Sequence, residues 1–416
     1  MSRLEEPTNE ASAMQKEFSA IAEQGGGRAT KVEQLIQQYC PNGVEYMKLG
    51  DVLSVNRGRR LTKMQLSDDG QYFVYHGSKD TPLGKYTQFN VKGNTTIVVN
   101  TGGIGGVKFC DDDFWCSDGS FWIGHSDLLN DKFVYYYLSP LESYFASQKR
   151  VGGVPTIDRS VVENVEIPLP PLPVQEEIVR ILDTFAELQA ELQAELQNRL
   201  QQYNYYRDNL LSFEGRTDVE WKKLGDVADL LSGFPFDSTQ FTSAGIRLMR
   251  GVNIKRGQLC FNENDDRYWK STAGLEKYIV EENDIVISMD GSLVGKSFGM
   301  VKKEHLPLLL VQRVTRIRSS VFNINYIYHC IKNWFPNYVD KKKTKGAIPH
   351  ISMKDIANFP IPSPSLEEQE KIAAILDRFD TLTTDITAGL PAEIEARRKQ
   401  YEYYRDRLLT FNRKIV

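Results

Sequence analysis

The chain's 416 residues, 41% hydrophobic and 25% charged, exceed one ordinary domain and have the composition of a globular protein with two or three. Its net charge of −4 hides an uneven spread: Lys and Arg minus Asp and Glu give 22 − 16 = +6 over residues 216–358 but 13 − 14 = −1 over 41–165. The longest apolar run, Leu306 to Val311, is too short to span a bilayer, Arg3, Glu5 and Glu6 stand where a secretory signal would be apolar, and five scattered cysteines without a CxxC pair argue against disulfides or zinc and for a reducing cytoplasm.

Along the chain, residues 1–40 read as an N-terminal extension, partly helical through Met14, Phe18 and Ile21, or disordered. Residues 41–166 read as a first α+β domain, with a β-rich run (NTTIVVN, 94–100), a Gly-rich turn (TGGIGG, 101–106) and a helix carrying KFVYYYL (132–138). Residues 167–215 hold a lead-in of Pro168, Pro170, Pro171 and Pro173, then a long helix. Between Val174 and Phe213 there is no Gly or Pro, and Ile178, Leu182, Phe185, Leu188, Leu192, Leu196, Leu200, Tyr203 and Leu210 recur in steps suited to an amphipathic helix roughly 60 Å long. Residues 216–360 read as a second α+β domain, with DIVISM (284–289), VQRVTRIR (311–318) and a helix carrying NYIYHCI (325–331). Residues 361–416 repeat the lead-in and helix, which Gly389 and Pro391 break into about 366–388 and 391–411.

The chain is written twice. VEYMKLGDVLSVNRG (44–58) returns as VEWKKLGDVADLLSG (219–233), and FVYHGSKD (73–80) corresponds to RLMRGVNI (247–254). GGVPTI (152–157) returns as GAIPHI (346–351), IPLPPLPVQEEIVRILDTF (167–185) as IPSPSLEEQEKIAAILDRF (361–379), and QYNYYRDNLLSF (202–213) as QYEYYRDRLLTF (400–411). The ends of the unit match well and the middles poorly, as expected if the ends share a job and the middles do different ones. A long helix with one apolar stripe needs a partner, and the other copy supplies it. The predicted fold is therefore α+β: two globular α/β domains separated by two long antiparallel coiled-coil helices, in a pseudo-two-fold tandem repeat.

These repeats resemble the specificity subunits of type I restriction-modification systems. The marks are ILDTF and ILDRF opening the helices, YNYYRD and YEYYRD near their ends, and GLPAEIEARRKQYEYYRD (389–406), in an order covering residues 44–413. The resemblance implies a non-catalytic subunit in which each domain reads half of a bipartite site in double-stranded DNA. It also implies helices that set the gap and dock two methyltransferase subunits, and a restriction and translocase subunit that joins them. No cofactor is expected on this chain; S-adenosylmethionine, ATP and Mg belong to the partners. The alternative is a coiled-coil scaffold that binds proteins and no DNA.

Candidate DNA-binding residues follow from chemistry in that context. Arg57, Arg59, Arg60 and Lys63 cluster in the first domain, and Lys255, Arg256, Arg313, Arg316, Lys341, Lys342, Lys343 and Lys345 in the second; each is suited to phosphate. A solvated charged face is the plainer reading of such runs. Arg250 and Asn253 have the groups for bidentate reading of guanine and adenine, with His76, Ser78 and Lys79 at the matching turn. That turn reads YHGSKD where relatives often have an Arg-Gly-x-Asn-like sequence. DGSLVGKS (290–297) imitates a P-loop, but Gly291 and Gly295 enclose three residues instead of four. It reads instead as a turn whose Ser292 and Lys296 contact phosphate, or as a plain turn. Asp111, Asp112, Asp113 and Asp118 lack metal-ligand spacing, so no metal is expected. No Asn-Pro-Pro-Tyr methyltransferase motif occurs. Tyr203, Tyr206, Arg207, Tyr401, Tyr404 and Arg405 are the candidates for helix packing and subunit docking. Three identical tetrads, AELQAELQAELQ (186–197), suggest an adjustable spacer.

Overall fold

A computed structural model of the chain describes residues 31–150, 152–343, 349–384 and 389–414. The expected helix through Met14, Phe18 and Ile21 lies outside these residues, as does Lys345. One compact unit runs to Leu192 and takes in the chain from Ile394 onward; the other spans Gln193–Glu393. Each unit therefore combines one globular domain with helical segments from two separate parts of the sequence. The principal helices are α1 (Lys31–Tyr39), α2 (Asp131–Leu138), α3 (Leu172–Leu210), α4 (Ile324–Lys342), α5 (Leu366–Thr384) and α6 (Leu390–Leu408). Among the described residues no helix is long and apolar enough to cross a membrane.

In the first unit, strands Val55–Arg57, Ser120–Ile123, Thr95–Val99 and Val107–Cys110 form an antiparallel sheet in that order. A second, three-stranded sheet pairs Tyr72–Tyr75 with Gly84–Tyr86 and, in parallel, with Trp115–Cys116. Tyr46–Lys48 and Glu166–Pro168 close the domain as an antiparallel ribbon, which brings its two ends to the foot of α3. The second unit repeats this plan. Asp229–Ser232, Val314–Arg318, Ile285–Ser288 and Phe298–Met300 form one sheet, Leu308–Leu310 pairs in parallel with Ile246–Met249, and Glu220–Lys223 with Pro360–Ser363 is the closing ribbon.

The repeated sequence segments are repeated because they build the joint between domain and helix. Ile167, Ile178 and Leu182 are fully buried in the first unit; their counterparts Ile361, Ile372 and Leu376 are at most 3% exposed in the second. Each such side chain contributes about 1.5–3 kcal/mol when withdrawn from water. The helix pairs are closed by aromatic contacts: Phe185 against Tyr401 and Tyr404 in one unit, Phe379 against Tyr203 and Tyr206 in the other. In the first unit Lys31 and Glu33 of α1 pair with Glu177 of α3 and Arg407 of α6, which places the start of α3 beside the end of α6 in an antiparallel pair. The C-terminal segment then completes that domain, with Val44 pairing in parallel with Arg413 and the Tyr46 hydroxyl donating to Phe411 O at 3.1 Å.

Candidate nucleic-acid interface

The site is built on a frame that occurs once per unit. Asn130 caps α2 by accepting from the Lys132 and Phe133 amides, and Asn323 caps α4 by accepting from the Tyr326 amide. The next helix holds each cap. The buried Gln175 accepts from Asn130 N at 2.8 Å and donates to Leu128 O and Pro170 O, while the buried Gln369 accepts from Asn323 N at 3.0 Å and donates to Pro364 O. One carboxylate per unit then ties the domain to its helix. Asp183 takes the Tyr136 hydroxyl at 2.6 Å and the Lys132 ammonium at 3.0 Å; Asp377 takes His329 Nε2 at 2.7 Å and Asn325 Nδ2 at 2.6 Å. Burial, reinforced by Asp183, pushes the Tyr136 phenol well above its ordinary range. Neither pair of residues was singled out from sequence, although both lie in segments that occur twice.

In the first domain the basic cluster is accessible. Arg59, Arg60 and Lys63 are exposed, and the Lys63–Gln65 turn is fixed by Thr62, whose amide and hydroxyl both donate to Gln65 Oε1. Arg57 is exposed and donates to Asp118 O at 3.4 Å. The turn at His76 differs from expectation. His76 Nδ1 lies 3.2 Å from Ser117 Oγ and 3.4 Å from Asp118, and Ser78 Oγ accepts from the Thr81 amide. Lys79 is held by both oxygens of Glu142, at 2.6 and 2.8 Å, in a partly exposed ion pair.

In the second domain Arg250, Lys255, Ser292 and Arg313 line one groove of about 650 Å³, together with Phe236, Phe241, Ser288 and Gln312. Arg256 and Lys296 are exposed outside that lining. Two candidates must be corrected. Asn253 is fully buried: its amide donates to Cys260 O and Asp266 Oδ1, and its carbonyl oxygen accepts from Arg250 N. It shapes the turn and has no edge left for a base. Arg316 is 6% exposed and paired with Asp229 on a central strand, so it too is structural. Lys341 and Lys342 are exposed at the C-terminal end of α4, where cations suit the helix dipole, and Lys343 pairs with Asp340 at 2.6 Å. The P-loop imitation runs from strand Ile285–Ser288 directly into strand Phe298–Met300, so no helix N-terminus stands behind it to cradle phosphate.

The tyrosines take the helix-packing part of their expected role. Tyr203 is 5% exposed against Phe379, and Tyr206, Tyr401 and Tyr404 face the aromatic seams. Burial drives the Tyr401 phenol up to about 12. Arg207 and Arg405 lean over Tyr203 and Tyr401 and pair with Asp208 and Asp406. The most exposed of the tyrosines are Tyr205 and Tyr403, 67% and 61% exposed at equivalent positions of the two copies, while Tyr206 stacks on Phe379 and is still 44% exposed. The three-residue step from Tyr203 to Tyr206 is the helical signal that sets Tyr205 apart.

Comparison with known proteins places this arrangement. The family model described as "Type I restriction modification DNA specificity domain" matches the chain twice, over residues 41–202 and 217–396. A type I restriction enzyme specificity subunit from Escherichia coli is 37% identical over 311 residues, covering 67% of this chain and 70% of that one. A putative type I restriction enzyme specificity subunit from Haemophilus influenzae is 29% identical over 391 residues, covering 89% and 96%. Among solved structures, the S subunit of a type I restriction-modification system from M. genitalium shares the fold with a TM-score of 0.64 at 17% identity, covering 88% of this chain and 96% of that one.

Proposed function

Because the chain belongs to the type I restriction-modification DNA-specificity family, we propose that its two domains divide a bipartite double-stranded DNA site, each reading one half. The chain supplies recognition and not catalysis. In this reading the methyltransferase activity and its S-adenosylmethionine, and the ATP- and Mg-dependent restriction and translocase activity, belong to partner subunits. The long helices set the gap between the half-sites and carry two docking surfaces, one per copy of the repeat, for two methyltransferase subunits.

The observation that carries this reading is the duplicated frame. Gln175 and Gln369, Asp183 and Asp377, and Phe185 and Phe379 hold two domains in the same way. The surfaces those frames present are chemically different: exposed Arg59, Arg60 and Lys63 in one domain, a groove lined by Arg250, Lys255 and Arg313 in the other. Identical mounts with unlike faces suit two readers of unlike sequence. The test is duplex binding by the chain assembled with its methyltransferase partner across a salt series. The log of the affinity is expected to fall linearly with log salt, and specific sites should exceed random duplex by about a thousandfold or more. A chain that assembles with partners yet binds no duplex in a salt-dependent way would be a protein scaffold instead.

A further inference from the structure

Gly58 and Gly233 occupy the same place in the two domains and explain each other. A β-carbon on Gly58 would lie 2.1 Å from Ser117 O, and one on Gly233 would lie 2.3 Å from Val311 O. Each glycine lets one turn press against the backbone of another, and the same hydrogen bonds fix both crossings. Gly58 N donates to Ser120 O at 3.1 Å and Gly233 N to Val314 O at 3.0 Å; Arg59 N donates to Cys116 O and Phe234 N to Leu310 O, both at 2.9 Å. Asn100 N donates to Gly119 O at 3.0 Å, and Met289 N to Arg313 O at 2.9 Å. Within the turns, Ser120 N donates to Ser117 O and Val314 N to Val311 O, both at 3.1 Å. This register pairs Asp118 with Gln312 and Gly119 with Arg313.

The hydrogen-bond pattern is therefore common, while the backbone at Arg313, left-handed where Gly119 is not, and the side chains differ. In the first domain the turn presents Asp118, its carboxylate accepting from Ser117 Oγ at 3.2 Å beside His76 Nδ1. In the second it presents exposed Gln312 and Arg313 on the groove that Arg250 and Ser292 also line. Arg313 holds a left-handed backbone, φ +69°, which residues with a β-carbon rarely adopt, and its guanidinium meets Asp290 at 3.4 Å. His350 holds Asp290 in turn, Nδ1 to Oδ1 at 2.5 Å. The glutamine amide and the arginine fork are the groups that read adenine and guanine in two-point contacts, and a carboxylate accepts from the amino group of cytosine.

We propose that this turn is the specificity-determining element of each domain: Asp118 selects a base in one half-site, and Gln312 with Arg313 select bases in the other. The proposal rests on the DNA-recognition reading given above. Its test maps methylated adenines in DNA modified by the full complex carrying wild type, Arg313→Gly or Asp118→Asn. Glycine suits the left-handed backbone, so Arg313→Gly should keep the fold and the melting temperature. Arg313→Gly is expected to lower discrimination at one base pair of one half-site about tenfold or more, with the other half-site unchanged. Asp118→Asn should relax the opposite half-site alone. Undiminished discrimination in both variants overturns the proposal, as does a uniform loss of binding with no change in base preference. A wild-type complex that yields no two-part motif overturns the recognition reading itself.

Discussion

Phe185 stacks on Tyr404, ring centroids 5.6 Å apart and planes 24° apart, and Phe379 makes the same pair with Tyr206 at 5.5 Å and 29°. Each pair joins an ILD-type segment to a tyrosine segment from elsewhere in the chain. Phe185 is 3% exposed, so truncating it leaves a cavity as well as a lost stack. Phe185→Ala should cost about 3–5 kcal/mol in denaturant unfolding of the first unit, and Phe379→Ala, at a half-buried site, less. Equal and small losses would show that these seams do not hold the helices.

The two kinds of tyrosine should separate in experiment. Tyr205→Ala with Tyr403→Ala removes exposed rings that also meet the edges of Tyr206 and Tyr404, and should cost no more than about 1 kcal/mol of stability. It should weaken association with the methyltransferase subunit, each ring costing about 2 kcal/mol if it anchors the contact. Tyr203→Ala should destabilise the fold instead. Unimpaired assembly of the double variant, measured by analytical ultracentrifugation, would remove the docking surface from these positions.

Asn253 offers a test of the corrected assignment. With its amide committed to Cys260 O and Asp266 and its oxygen to Arg250 N, Asn253→Ala should cost about 1–3 kcal/mol of stability. The complex that still folds should methylate the same half-sites. A relaxed base at one position with unchanged stability would return Asn253 to the reading surface.

How much of this was legible in the sequence depends on the type of element. The repeats and the 3.6-residue period exposed both domains and the long helices, with separate helical segments Leu366–Thr384 and Leu390–Leu408, because periodicity survives without tertiary information. The apolar stripe that includes Leu200, Tyr203 and Leu210 already turned Tyr203 inward, as the structure places it. Arg316 could not be placed by alternation, since its strand is central and Val314 through Ile317 are buried whichever face they point to. Asn253 was illegible for another reason: its partner Asp266 lies in a loop whose approach no local pattern encodes.

The three AELQ tetrads lie within α3, with Leu188, Leu192 and Leu196 half-buried at four-residue spacing. Deleting Ala190–Gln193 shortens the helix by about 6 Å and turns one end by about 400°, a net 40° or so. B-DNA advances about 3.4 Å and turns about 34° per base pair, so the rotation matches one base pair, which we favour, while the rise alone matches nearer two. The deletion should shorten the unread gap by one base pair and leave both half-sites intact. An unchanged gap, or altered half-site bases, would refute the spacer role.

The central claim is that two domains of one chain specify two separate stretches of DNA, and genome-wide mapping of methylated adenines tests it most directly. A strain carrying this chain with its methyltransferase partner should show one motif made of two short specified stretches around a gap of unspecified bases, and deleting the chain should abolish that methylation. Methylation that persists without the chain, or a motif that is a single uninterrupted stretch, would contradict the account.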